Sequence, residues 1–199
     1  MLETYFGETK LQIRRGDLSQ AKVDAVVRET DPSLGHEFGP DDLLEAGGDT
    51  VTTAVEAARK ELGEQGLITG EVVVTDAGDL GAQVLVHTTL PDWKNRYHGE
   101  KIDLERSYQN AIVAAIDRDL TTIAFPALGL GTRQFPGYEA TVIALNTVER
   151  VVTFKDRRTD YRGAIERVEI VLATDQDFQL YRKVYRAYAH RWDEQRAAR

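Results

Sequence analysis

TTIAFPALGLGTRQFP, which occupies Thr121–Pro136, combines an apolar run, a glycine-bearing loop and a proline. The apolar residues Ile123–Phe125 predict a short strand, and Pro136 begins a pattern with helical spacing. A loop between a strand and a helix N-terminus directs backbone N–H groups and the positive end of the helix into one space. The stretch therefore predicts an anion site, with a phosphate-bearing small molecule as the first ligand class; an ordinary βα turn is the alternative.

Composition limits the class of protein and of ligand. The chain has 199 residues, which predicts one domain over residues 1–199, and no cysteine, which excludes disulfides, thiolate metal sites and thiol nucleophiles. The net charge of −8 argues against binding to bulk nucleic acid or to an anionic membrane. A phosphate ligand must then be held by local N–H groups.

Targeting and metal signals are absent from the sequence pattern. The N-terminal MLETYFGETK lacks the basic region and the apolar core of a secretory signal, and no apolar run approaches the roughly 18 residues of a membrane span. A cytoplasmic location is therefore expected. No histidine spacing indicates a metal site, and His87, inside an apolar run, is expected to be a core residue.

Strand and helix patterns alternate along the chain, which predicts a layered α/β fold. The strand-rich beginning favours a mixed sheet. The predicted strands are Leu11–Arg15, Ala25–Val27, Val72–Thr75, Gln83–His87, Ile123–Phe125 and Val168–Leu172. The predicted helices are one from Asp49 or Thr50 to Leu62, then Asp103–Asp119, Tyr138–Phe154 and a long C-terminal helix, Asp175–Arg196.

The last predicted helix carries an aromatic stripe. Its residues are Phe178, Tyr181, Tyr185, Tyr188 and Trp192. Spacings of three and four place them on one helix face, which predicts docking on the chain's own sheet; a homodimer contact is the alternative. The charged tail 191–199 is expected to fray.

Another loop, Arg28–Asp41, comes earlier in the chain and follows the predicted strand Ala25–Val27. It is called the first loop, and the loop between Phe125 and Pro136 is called the second loop. A long loop at the carboxyl end of a strand, leading into a helix, is a typical place for a ligand site. Two candidate loops therefore occupy matching places in the chain.

The order of several short motifs resembles the macrodomain family, whose members bind ADP-ribose. The resemblance spans Leu11–Asp177, and the order and spacing of its motifs are specific together. The motifs are Gly16-Asp17-Leu18, Val23–Val27, Thr69-Gly70-Glu71, Val84–Thr88, Pro91 with Trp93, and Ala124–Ala127 with Gly131, Phe135 and Pro136. The resemblance implies a three-layer α/β/α sandwich with a mixed central sheet, and no cofactor.

The resemblance also implies ligand contacts. Asp17, with Leu18 beside it, matches the family aspartate that accepts a hydrogen bond from the adenine amino group; a turn-forming role is the alternative. The second half of the chain supplies the loop that wraps the diphosphate and the distal ribose. Its residues are Gly129, Leu130, Gly131, Thr132, Arg133, Gln134 and Phe135, with Gly129 and Leu130 in place of the usual Ser-Thr.

The first loop departs from the family pattern. Arg28 and Asp31 stand where the family has two asparagines, and an aspartate accepts hydrogen bonds but cannot donate. Residues 36–38 (His, Glu, Phe) replace a glycine run, although Gly39 is kept. Asp41 matches the acid that some members use to activate water; a charge at a helix start is its alternative reading.

Three functions follow from these matches. The favoured one is binding of ADP-ribose, free or on an ADP-ribosylated protein, or of a related nucleotide diphosphate. The second is ADP-ribosyl hydrolysis, with Asp41 or Asp31 orienting water toward the distal ribose. The third is a degenerate macrodomain with another ligand or a protein partner, favoured by the altered first loop and by Ala173, where an adenine-stacking aromatic residue is expected.

Overall fold

The computed structural model describes residues 1–35, 42–94 and 99–197, with side chains described through residue 189. Strands and helices alternate along these ranges, as predicted. The strands are β1 (Leu2–Phe6), β2 (Thr9–Arg15), β3 (Ala25–Thr30), β4 (Val72–Asp76), β5 (Val84–Thr89), β6 (Thr122–Phe125) and β7 (Arg167–Leu172). The α-helices are α1 (Asp42–Leu62), α2 (Glu100–Ile116), α3 (Gly137–Val152) and α4 (Asp175–Ala197).

The strands form one mixed sheet in the order β1-β2-β7-β6-β3-β5-β4. The five central strands are parallel, and the two edge strands, β1 and β4, pair antiparallel with their neighbours. The mixed sheet is confirmed. Strand β1 was not among the predicted strands; it forms a hairpin with β2 across Gly7, whose φ is 61°.

Apolar residues alternate between the two faces of the sheet. On β3, Ala25 and Val27 pack with α2, α3 and α4, whereas Val26 packs with α1 on the opposite face. On β6, Ile123 and Ala124 divide in the same way. Because β3 and β6 bury both faces, the centre of the sheet is covered on both sides, and the predicted three-layer α/β/α sandwich is confirmed.

Three elements, β3, α1 and α2, have boundaries that lie three or more residues from the predicted ones, and the other boundaries differ by at most two. Strand β3 continues through Thr30, so the loop after it begins three residues later than expected. Helix α1 already begins at Asp42 and is interrupted at Gly48, whose φ of 69° and ψ of −161° are not helical. The predicted start at Asp49 therefore marks the second segment of α1. Helix α2 begins and ends three residues earlier than expected.

Helix α4 docks on the chain's own core. The side chain of Tyr181 is buried, and Phe178, Tyr185 and Tyr188 pack against the core beneath it. The Tyr185 hydroxyl also donates to the Glu3 carbonyl at 2.9 Å. The docking prediction is confirmed for these residues; the side chain of Trp192 lies outside the described part, and fraying of 191–199 and a homodimer contact stay predictions.

Among the helices of residues 1–35, 42–94 and 99–197, none is both long enough and apolar enough to cross a bilayer.

Candidate functional site

A cleft of about 980 Å³ lies at the carboxyl ends of β2, β7, β6 and β3. Ligands of open α/β sheets bind at this edge of the sheet, where loops from several strands meet. The loops after β3 and β6, which are neighbouring strands, both line the cleft. The described lining residues named as candidates above are Asp17, Leu18, Arg28, Asp31, Leu130, Gly131, Thr132, Arg133 and Ala173.

The loop between β6 and α3 is held by its own backbone. Phe135 donates its N–H to the Gly129 carbonyl at 3.0 Å, and Gln134 donates to the Gly131 carbonyl at 3.2 Å. The Phe135 side chain is buried, and its ring lies 5.4 Å from the ring of Trp93. Phe135 therefore anchors the loop to the core through its buried ring. Gly129, Gln134 and Phe135 do not line the cleft.

The same loop presents two open donors. Gly131 and Thr132 are exposed in the cleft wall, and neither N–H donates a hydrogen bond to any residue that the structure describes. The N–H of Gly129 is already used, because it donates to Glu29 Oε2 at 2.8 Å. Backbone donors for an anion are thus concentrated at Gly131 and Thr132.

A network of charges lies behind this loop. The largely buried Arg133 contacts Asp92 through Nη1 at 3.0 Å and donates through Nη2 to the Thr30 carbonyl at 3.3 Å. Its Nε lies 3.8 Å from Glu29 Oε1. Burial raises the pKa of the Glu29 carboxyl, although the Gly129 N–H and Arg133 both act to lower it. Sequence reasoning missed Glu29 as a site residue.

Arg28 is buried beneath the first loop. Its Nη2 donates to the Gly35 carbonyl at 3.1 Å, and its Nη1 donates to Thr30 Oγ1 at 3.1 Å. His87 lies beside it, with Nδ1 3.2 Å from Arg28 Nη1 and Nε2 2.8 Å from Thr75 Oγ1. Burial, and then the positive charge of Arg28, lowers the His87 pKa to about 3. The prediction that His87 is a satisfied core residue is confirmed.

Asp31 fixes the start of the first loop. Its Oδ1 accepts from the Ser33 N–H and hydroxyl, both at 2.6 Å, and from the Gly35 N–H at 3.1 Å. Burial opposes ionisation, but these hydrogen bonds outweigh it and lower the pKa of Asp31. Asp31 is therefore an ionised anchor on the cleft wall; its catalytic role stays a prediction.

Asp17 also lines the cleft. Its Oδ1 accepts from the Ser19 N–H and hydroxyl at 2.8 Å each, which caps the short 3₁₀ turn Leu18–Gln20. Its Oδ2 accepts no hydrogen bond from the described residues. One oxygen thus forms the turn and the other is open. Ala173 is exposed nearby and offers no ring for stacking.

Some candidates cannot be placed. Gly39 and Asp41, and with them His36, Glu37, Phe38 and Pro40, lie outside the described residues. Within the described ranges, no group of three or more His, Cys, Asp or Glu side chains could hold a metal ion.

Two relatives match the amino-acid sequence over most of this chain. O-acetyl-ADP-ribose deacetylase of Salmonella newport (strain SL254) is 35% identical over 146 residues, which cover 73% of this chain and 80% of that protein. A macro domain-containing protein of Caldanaerobacter subterraneus is 32% identical over 179 residues, covering 88% and 95%. Both relatives therefore match along most of their length.

Solved structures match over nearly the whole chain. The Oceanobacillus iheyensis macrodomain with ADP has a TM-score of 0.86 at 25% identity, covering 96% of this chain and 97% of that one. The Trypanosoma brucei macrodomain in complex with ADP shares the fold, with a TM-score of 0.71 at 20% identity over 87% and 68%. A family model, Macro domain, matches residues 41–144. The chain belongs to the macrodomain family.

Proposed function

We propose that the cleft binds ADP-ribose or a related nucleotide diphosphate. The observation that carries the proposal is the pair of open N–H groups at Gly131 and Thr132, two residues that line the same cleft as Asp17, whose Oδ2 is also open. Oriented N–H groups bind phosphate oxygens without a basic field, which suits a chain with a net charge of −8. The relatives named for ADP-ribose chemistry support the same ligand class.

The ligand would lie along the cleft with its adenine at Asp17 and its diphosphate at the Gly131–Thr132 wall. The adenine amino group would donate to Asp17 Oδ2. Ala173 supplies no stacking ring, and such a ring contributes about 1–3 kcal/mol. We therefore expect an affinity in the micromolar range, with the base read mainly by its hydrogen bond.

Calorimetric titration with ADP-ribose is the direct test. Wild-type protein should bind at micromolar concentration, and the Asp17→Asn variant should bind about tenfold more weakly. Asparagine can still accept from Ser19 through its amide oxygen, so the turn is kept while the open oxygen becomes an NH₂ donor. For the analogue with a carbonyl in place of the adenine amino group, the order of affinities should reverse, because a carbonyl accepts from the asparagine NH₂ group and cannot donate to the aspartate.

Two outcomes would contradict the proposal. Absence of heat at millimolar ADP-ribose would exclude this ligand class and favour a degenerate cleft with another ligand or a protein partner. Equal affinities of wild type and Asp17→Asn for both bases would remove Asp17 from the site.

A second function, hydrolysis of an ADP-ribose ester, is favoured by the similarity to O-acetyl-ADP-ribose deacetylase. In that reaction, water adds across the ester bond and yields acetate and ADP-ribose. Asp41 is the proposed base, and Asp31 would act by holding the first loop. Incubation with O-acetyl-ADP-ribose and with an ADP-ribosylated protein tests both substrates. Release of product that is lost in Asp41→Ala supports the enzyme; binding without release supports a binding module.

A further inference from the structure

Glu29, the penultimate residue of β3, accepts a hydrogen bond from the loop between β6 and α3. Glu29 Oε2 accepts from the Gly129 N–H at 2.8 Å, although the two residues are 100 positions apart. The side chain of Glu29 is 20% exposed and lines the cleft. An acidic side chain therefore occupies a backbone donor within the wall that presents Gly131 and Thr132.

Charged and titratable groups approach Glu29 from two described elements. Arg133, from the loop itself, lies 3.8 Å away and is held by Asp92 at 3.0 Å. Tyr108, from α2, is fully buried, and burial, Tyr181 and then the Glu29 charge raise its pKa. The guanidinium of Arg133 thus offsets part of the Glu29 charge, and the phenol of Tyr108 remains neutral.

We propose that Glu29 is a positioning residue for the cleft: its carboxyl group holds the 129–135 loop in place, and its negative charge weakens binding of a diphosphate. The proposal rests on the proposed function for its ligand. Holding the loop requires only an acceptor oxygen, which a protonated carboxyl or an amide also provides. Weakening the binding of the diphosphate requires the negative charge, so the two roles can be separated by substitution.

The charge predicts a pH dependence with a definite sign. A bound diphosphate adds negative charge beside Glu29 and favours its protonated form. The complex then holds more protons than the free protein, so affinity should rise as the pH falls toward the pKa of Glu29, which lies above its usual value of 4.5. ADP-ribose carries no group that titrates between pH 5.5 and 7.5.

Three variants test the two roles. Glu29→Gln keeps the acceptor and removes the charge, Glu29→Ala removes both, and Glu56→Gln removes a charge from the exposed face of α1 as a matched control. Affinity for ADP-ribose is measured by calorimetry at pH 5.5 and 7.5. Amide hydrogen exchange of residues 128–135 is measured without ligand.

Glu29→Gln should bind ADP-ribose about threefold to tenfold more tightly than wild type at pH 7.5 and lose the pH dependence. Glu29→Ala should raise exchange of the Gly129 amide at least about tenfold and bind more weakly than Glu29→Gln. Glu56→Gln should match wild type in both measurements.

Each role has its own contrary result. Unchanged exchange at Gly129 in Glu29→Ala would overturn the positioning role, and wild-type affinity and pH dependence in Glu29→Gln would overturn the effect of charge. If wild type and all variants fail to bind ADP-ribose, the proposed function fails, and the exchange experiment still decides whether Glu29 holds the loop.

Discussion

Replacing Arg28 with methionine should lower the free energy of unfolding by about 2–4 kcal/mol. The guanidinium is buried and donates to the Gly35 carbonyl and to Thr30 Oγ1, each at 3.1 Å. A hydrogen bond from a charged donor contributes about 1.5–3 kcal/mol. Methionine removes the donor to Thr30 Oγ1, whereas the Gly35 carbonyl keeps its bond from the Thr30 hydroxyl at 3.1 Å. Methionine keeps most of the packing of the stem and avoids the desolvation cost of the charge, so the net loss is smaller than the sum of the two bonds.

Urea unfolding followed by circular dichroism measures this loss as a shift in the transition midpoint at constant slope. Arg59→Met is the matched control, because Arg59 is exposed and donates to the Leu34 carbonyl of the same loop at 2.9 Å. Loss of this exposed contact should cost less than about 1 kcal/mol. If Arg28→Met costs no more than Arg59→Met, the buried guanidinium does not hold the first loop and the reasoning is wrong.

Two further predictions concern the second loop and the core histidine. Gly129→Ala should lower the free energy of unfolding by about 1–2 kcal/mol, because φ is +82° and the added Cβ would lie 3.0 Å from the Phe135 ring. Gly131→Ala, whose Cβ would meet nothing within 4 Å, should lower it by less than about 0.5 kcal/mol. Equal melting temperatures of the two variants would contradict this. The His87 ring should stay neutral in the folded protein down to about pH 3, so the unfolded chain, whose histidine titrates near 6.5, binds the proton first and stability falls as the pH drops from 6.5. Ring resonances of His87 that titrate near 6.5 in NMR spectra would refute this.

The fold was predictable because its signals are local. The apolar triplet Ile123–Phe125, the glycines after it and Pro136 each indicate an element within a few residues. Strands with both faces apolar indicate a covered sheet, and parallel strands bring their carboxyl ends to one edge. Asp17 and the loop after β6 therefore meet at one cleft, as the family resemblance implied.

The cleft wall formed by β3 was less predictable, because its charged side chains are paired with residues that lie elsewhere in the sequence. The sequence prediction ends the strand at Val27 and places Arg28 and Glu29 in the loop, although both lie on β3. Their partners are Gly35 and Gly129, the second of which is 100 residues away, and no periodicity reveals such a pairing. One signal was available: no glycine or proline separates Val27 from Thr30, so nothing in the sequence ends the strand there.

The position of β7 has a consequence for synthesis of the chain. Strand β7 inserts between β2 and β6, and its Glu169 pairs with Arg14, which precedes it by 155 residues. A growing chain on the ribosome can form the β1–β2 hairpin early, but the inner edge of β2 has no partner until β7 is made. Because the cleft takes lining from both β2 and β7, a ligand can stabilise only chains whose last strand is in place. Ligand occupancy would therefore discriminate chains that contain β7 from chains that end before it.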